Sequence, residues 1–221
     1  MKTENIKNSI TELVFILDRS GSMSGLEKDT IGGFNAMIAR QKKQDGKAFV
    51  STILFNQESK VVHDRVALED VSDMTEETYT VGGCTALLDA VGDAIRHVRS
   101  IHKYARSEDV PAHTLFVITT DGMENASHCY TAEKVREMIE TQKESAGWEF
   151  IFLGANIDAV QTARHLGIRE DRAATYLNDD VGTAKNYDAV CACVSEVRAG
   201  KAIRSDWAAK IREDYASRKA K

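Results

Sequence analysis

Proline is nearly absent: Pro111 is the only one in 221 residues, so no proline-rich linker or disordered arm is expected, and no internal repeat is visible. Apolar runs of membrane-spanning length are missing as well. The opening stretch Met1 to Ile10 is polar and mixed in charge, without the apolar core and small-residue cleavage site of a signal peptide, so the cytoplasm is the expected location. The four cysteines, Cys84, Cys129, Cys191 and Cys193, show neither paired zinc spacing nor a small-domain disulfide framework and read as reduced thiols. Cys191 and Cys193, two apart on one expected helix, should face different sides of it. A basic surplus is lacking: the formal net charge is −5 and the pI near 5.7, which argues against nucleic acid as the partner. The six histidines form no His-Glu-x-x-His pattern, and no Gly-x-x-x-x-Gly-Lys-Ser/Thr loop is present, which removes the zinc-protease and P-loop classes.

What is present is a buried-strand signal that ends in oxygen donors. Leu13-Val14-Phe15-Ile16-Leu17 runs directly into Asp18-Arg19-Ser20-Gly21-Ser22, a carboxylate and two hydroxyls at alternating positions after a short apolar run. All three are hard donors of the kind Mg²⁺ prefers, and Mg²⁺ commonly takes only one or two carboxylates from a protein. The same residue types also serve as caps and turn formers for a following helix. Two more segments tip the balance toward a metal. Val81-Gly82-Gly83-Cys84-Thr85 places a hydroxyl on a glycine loop before a helix, and Leu115-Phe116-Val117-Ile118-Thr119-Thr120 carries a second apolar run into Asp121. In an open parallel sheet, loops at the carboxyl ends of neighbouring strands converge on one crevice.

Periodicity supplies the frame. Ile31, Phe34 and Ile38 mark a helix over 25 to 43, whose Gly32 and Gly33 suggest close approach to the sheet. Strands are expected over 48 to 55 and 60 to 64, the second an antiparallel edge, followed by a polar connection over 65 to 80. Leu87, Leu88, Val91, Ala94, Ile95 and Val98 form a strong helical stripe that sets Thr85 at the helix's start, where free backbone N–H groups would favour an incoming anion. Beyond Asp121, Val135, Met138 and Ile139 mark a helix, Phe150 to Leu153 a strand, and Val160, Ala163 and Leu166 another helix. A weaker strand over 173 to 177 and a helix carrying Tyr187, Val190, Cys191 and Val194 follow. Alternating strands and helices imply an α/β, doubly wound, mostly parallel sheet with helices on both faces. Residues 200 to 221 hold seven Lys or Arg against three Asp or Glu; Ile203, Trp207, Ile211 and Tyr215, spaced by four, predict an amphipathic helix packed on the domain's own surface.

Asp18-x-Ser20-x-Ser22, Thr85 and Asp121 resemble the metal-ion-dependent adhesion site of von Willebrand factor A (VWA) domains. The surrounding Asp18 to Met23, Gly83 to Ala90 and Thr120 to Asn125 look like single-domain bacterial members, and the likeness covers residues 10 to 199. It leaves an N-terminal extension over 1 to 9 and the C-terminal helix over 200 to 221. The resemblance implies a six-stranded sheet with one antiparallel strand, and Mg²⁺ (Mn²⁺ or Ca²⁺ being alternatives) held directly by Ser20, Ser22 and Thr85. Asp18 and Asp121 would act mostly through water, and a partner protein's Asp or Glu would fill an open position. A non-enzymatic scaffold or regulatory role in a bacterial complex is the resulting expectation. Its rival is a Mg²⁺-dependent phosphohydrolase of the haloacid dehalogenase type, with Asp18 as nucleophile and Asp179-Asp180 as a later acidic motif; that family needs a second Asp where Ser20 stands. Glu124 and Asn125 are candidates for the rim or for caps, Asn156 and Asp158 for helix caps, and Arg19 for an exposed loop arginine.

Overall fold

The computed structural model describes residues 10–219; the expected extension over 1 to 9 lies outside the described residues. Eight consecutive buried residues form β1 (Thr11–Asp18), the strand on which the rest is assembled. The helix α1 (Glu27–Lys42) leads to β2 (Ala48–Phe55), which turns through Asn56, Gln57 and Glu58 into β3 (Ser59–Ala67). Then follow α2 (Leu87–Tyr104), β4 (His113–Thr120), α3 (Ala132–Ala146), β5 (Glu149–Ala155), α4 (Ala159–His165), β6 (Ala173–Tyr176), α5 (Asp180–Arg198) and α6 (Ala209–Lys219). Among the described residues no helix is long and apolar enough to cross a membrane.

The sheet order is β3-β2-β1-β4-β5-β6, parallel except for β3. The chain moves outward from β1 in one direction and then restarts beside β1 with β4, which creates a switch point where the two flanking loops part and leave a crevice. Strand alternation sorts the core into two layers. Leu13, Phe15, Leu17, Leu115 and Val117 face α1, α5 and α6, whereas Val14, Ile16, Phe116 and Ile118 face α2, α3 and α4. Full burial of each such side chain stabilises the fold by about 1.5–3 kcal/mol.

Three expectations change in detail. Of the two glycines of α1 only Gly33 serves a close approach, and it is to a helix instead of the sheet: a Cβ there would lie 2.2 Å from the Tyr187 ring of α5, whereas Gly32 has nothing within 4 Å. Beside these changes, Cys191 and Cys193 are both buried, the Cys191 sulfur against Gln41 of α1, because α5 is covered by the sheet on one side and flanked by α1 and α6. The stretch over 65 to 80 is no polar connection, since β3 runs on to Ala67 and Leu68, Val71, Met74 and Tyr79 are buried. Finally, Ile203 and Trp207 precede α6 instead of lying on it. They are buried in the core cluster with Ile211, and Trp207 Nε1 donates to the Asp171 carbonyl at 2.8 Å. Tyr215 is only half-buried.

Candidate metal centre

The parallel register does the first part of the positioning. Leu17 pairs with Thr119, so Asp18 ends β1 alongside Thr120, and Asp121 begins the loop one residue later. Thr120 Oγ1 donates to Asp18 Oδ2 at 2.6 Å, and the Ser20 amide donates to Asp18 Oδ1 at 2.7 Å. Both carboxylate oxygens are thereby oriented. The Tyr79 hydroxyl donates to the Asp18 carbonyl at 2.6 Å, which fastens the end of β1 from the other core layer.

The Thr85 loop is stitched to the first loop through backbone: Gly21 N–H donates to Gly83 O at 3.0 Å and Gly82 N–H to Arg19 O at 2.9 Å. Gly83, at φ +81, sits where glycine is favoured, and a Cβ there would displace the Gln57 amide, whose Oε1 lies 1.6 Å from that position. Asn56 Nδ2 donates to Gly82 O at 2.8 Å, so the β2–β3 hairpin also holds this loop. The outcome is convergence of all five expected donors. Ser20 Oγ and Ser22 Oγ are 3.1 Å apart, Ser22 Oγ donates to Asp121 Oδ1 at 2.5 Å, and a methyl built on Gly122 would stand 2.9 Å from Thr85 Oγ1 and 3.3 Å from Ser22 Oγ. Asp18, Ser20, Thr85 and Asp121 are at most 3% exposed, whereas Ser22 is exposed and marks the mouth.

The electrostatics call for a cation. Two carboxylates are buried side by side, and among the described residues neither is ion-paired: their partners are the Ser20 amide, the Thr120 and Ser22 hydroxyls and the Asn178 amide. Burial, and next the charge of Asp18, push the Asp121 carboxyl above its ordinary range against the lowering effect of its hydrogen bonds. Buried charge without a counter-charge costs several kcal/mol. Three hydroxyls and two carboxylates are an oxygen set for a hard divalent ion, and among the described residues no trio of His, Cys, Asp or Glu offers an alternative. The donor set therefore fits Mg²⁺, Mn²⁺ or Ca²⁺.

Other candidates take different places. Asn125 Oδ1 accepts from Thr85 N–H at 2.9 Å, Glu124 Oε2 from Leu88 N–H at 3.0 Å and Ser127 Oγ from Asp89 N–H at 3.1 Å, while Ala86 N–H is bound to Asn56 O. Glu124 and Asn125 are thus caps, and the N–H groups of Thr85, Ala86, Leu88 and Asp89 at the start of α2 are already bound. They are not available to the incoming anion that the sequence suggested, because a loop after β4 folds over them. Asp158 caps α4 by accepting from Gln161 N–H at 2.9 Å; Asn156 instead takes a left-handed turn at φ 54. Arg19 is half-buried and reaches the Thr80 carbonyl at 3.4 Å. Asp179, part of the later acidic motif that the rival reading needs, caps α5 through Gly182 N–H and is bound by Arg218. Thr120 and Asn178 were not anticipated. Thr120 had a signal, a polar pair closing an apolar strand immediately before Asp121; Asn178 had none.

No protein-family model matches the chain, and no curated protein does either. Solved structures do. A von Willebrand factor type A protein from Catenulispora acidiphila superposes with a TM-score of 0.60 at 17% identity, over 85% of this chain and 43% of that one. The proximal thread matrix protein 1 of the mussel byssus, with a zinc-occupied adhesion motif, gives 0.56 at 13% identity over 86% and 47%. The manganese-loaded TRAP protein of Plasmodium vivax gives 0.54 at 18% identity over 81% and 74%. The chain thus spans less than half the length of the first two. With its six strands in the order described and helices on both faces, the chain has the von Willebrand factor A fold.

Proposed function

We propose that this protein is a divalent-cation-dependent protein-interaction module rather than an enzyme. The observation that carries the reading is the convergence of Asp18, Ser20, Ser22, Thr85 and Asp121, whose two buried carboxylates no basic side chain among the described residues neutralises. Ser20, Ser22 and Thr85 would hold the ion directly, with Asp18 and Asp121 balancing its charge, mostly through water. Mg²⁺ is the first choice, because it is content with few carboxylates and retains water, while Mn²⁺ and Ca²⁺ suit the same oxygens. A bound ion of this kind supplies Lewis acidity at its open position. The exposed Ser22 edge is where an Asp or Glu of a partner protein would reach it. Zinc and manganese in the related structures support a metal at this place, although their likeness to this chain is one of fold.

Phosphohydrolase chemistry finds less support. The position two residues after Asp18 is a serine, and Asp179 is committed to capping α5 and to Arg218. The exposed free thiols Cys84 and Cys129 suit the reducing cytoplasm of a bacterium, where a scaffold or regulatory role is proposed.

The test is affinity capture from the source cell with Mg²⁺ and with chelator. A specific partner should be retained only with metal by the wild-type chain, and should be lost in Asp18→Ala and Thr85→Ala although both remain folded. Equal capture by both variants would defeat the reading, as would Mg²⁺-dependent turnover of a generic phosphate ester that Asp18→Asn abolishes.

A further inference from the structure

Asp121 is gripped from two sides, and only one of them belongs to the three motif segments. Ser22 Oγ donates to Oδ1 at 2.5 Å, and Asn178 Nδ2 donates to Oδ2 at 2.9 Å. The second bond is the only one the Asn178 side chain makes among the described residues, since its Oδ1 is buried without a partner. Turned the other way, that amide would set its oxygen against an ionised carboxylate, so the charge of Asp121 dictates the orientation.

Asn178 arrives from the loop after β6, two strands away from β4 in the sheet, and this loop is stiff. Asp179 N–H donates to Leu177 O at 2.9 Å, and the Asp179 carboxylate caps α5 by accepting from Gly182 N–H at 2.8 Å. Gly182 backs onto the Leu177 carbonyl so closely that a Cβ would sit 1.9 Å from its oxygen. The Asp179 carboxylate also accepts both arms of the Arg218 guanidinium from α6, at 2.5 and 3.1 Å. Arg218 is held in turn by Asp214, which pairs with Lys185 of α5. Neighbouring residues therefore do two jobs: Asp179 locks the loop to two helices, and Asn178 projects from the locked loop onto Asp121.

We propose that Asn178 is a positioning residue of the metal centre, with the Asp179–Arg218 pair as its brace. By occupying Oδ2 it keeps Oδ1 turned toward Ser22, one of the residues that would hold the ion, and it does so from a fourth loop that the motif does not include. The inference rests on the metal reading above. Groups that orient a ligand typically matter 10- to 100-fold in metal affinity. Calorimetric titration of the full chain with Mn²⁺ should accordingly show Asn178→Leu, similar in shape but without a donor, about 10- to 100-fold weaker than wild type. Arg218→Lys, which keeps the charge but not the two-armed contact, should fall in between. Melting temperatures in chelator separate these effects from misfolding, and Asn178→Ser, too short to reach, replaces Asn178→Leu should the latter not fold. In the metal-free protein, one Asn178 side-chain amide proton should be protected from exchange by NMR and lose that protection in Asp121→Ala. Wild-type Mn²⁺ affinity in Asn178→Leu overturns the inference, as does an unprotected amide. If wild type takes up no Mn²⁺ although the amide is protected, the metal reading itself fails and Asn178 is only a strut.

Discussion

Substituting Gly122 by alanine tests the geometry of the centre without removing a single donor. Gly122 does not occupy the left-handed region, so alanine is admissible to its backbone. The added methyl would stand 2.9 Å from Thr85 Oγ1 and 3.3 Å from Ser22 Oγ. To reach ordinary van der Waals separation the Thr85 hydroxyl must retreat by about 0.5 Å. Thr85 cannot follow as a whole, because its N–H is held by Asn125 and its carbonyl accepts from Asn125 N–H at 3.0 Å; only rotation of the side chain is free. Mg²⁺ demands near-octahedral oxygens at about 2.0–2.1 Å, whereas Ca²⁺ tolerates about 2.3–2.6 Å and irregular shells. Gly122→Ala should therefore weaken Mg²⁺ binding by about 100-fold, ~2.7 kcal/mol, and Ca²⁺ binding less. Local overpacking should cost the fold no more than about 1–3 kcal/mol. Titration calorimetry with each ion, and melting curves in chelator, read the two quantities separately. Unchanged Mg²⁺ affinity would mean that Thr85 Oγ1 and Ser22 Oγ do not hold the ion.

The remaining predictions concern charge and packing. Because burial, and then the Asp18 charge, raise the Asp121 pKa, the folded state binds that proton more tightly than the unfolded chain; the metal-free protein should lose stability as pH rises from the ordinary carboxylate pKa of about 3.9 through the raised value. Asp121→Asn should flatten that slope and abolish stabilisation by Mg²⁺, and melts in chelator across this range that keep the wild-type slope would contradict the assignment. Gly33→Ala drives a methyl into the Tyr187 ring and should cost about 1–3 kcal/mol, whereas Gly32→Ala, in open space on the same helix, should stabilise by up to about 1 kcal/mol; urea denaturation that ranks the two alike would refute the packing of α1 on α5. At the opposite end of the sheet, Arg65 Nε contacts Glu12 at 2.9 Å, and the Glu12 side chain is 1% exposed. Arg65→Ala should cost about 3–5 kcal/mol by leaving that carboxylate only the His102 ring at 3.5 Å, against less than about 1 kcal/mol for Arg40→Ala, whose pair with Asp188 is exposed. Comparable losses in urea would remove the distinction.

Much of this protein follows from local pattern. The run Leu13 to Leu17 reads as a strand buried on both faces, the stripe from Leu87 to Val98 as a helix on the sheet, and the three oxygen-bearing segments flank such elements, because apolar periodicity and the chemistry of hard donors are both written residue by residue. What needed tertiary structure was every relation between distant segments. Helix spacing alone suggested two faces for Cys191 and Cys193, and only the neighbours of α5 bury both. Free N–H groups at the start of α2 were a fair local inference until the 124–127 loop folded over them. Gly33 met Tyr187, and Asn178 met Asp121 across two strands, through contacts that no local window contains. Donor types belong to the sequence; which oxygen each donor faces was decided by packing, since orientation is a property of neighbours.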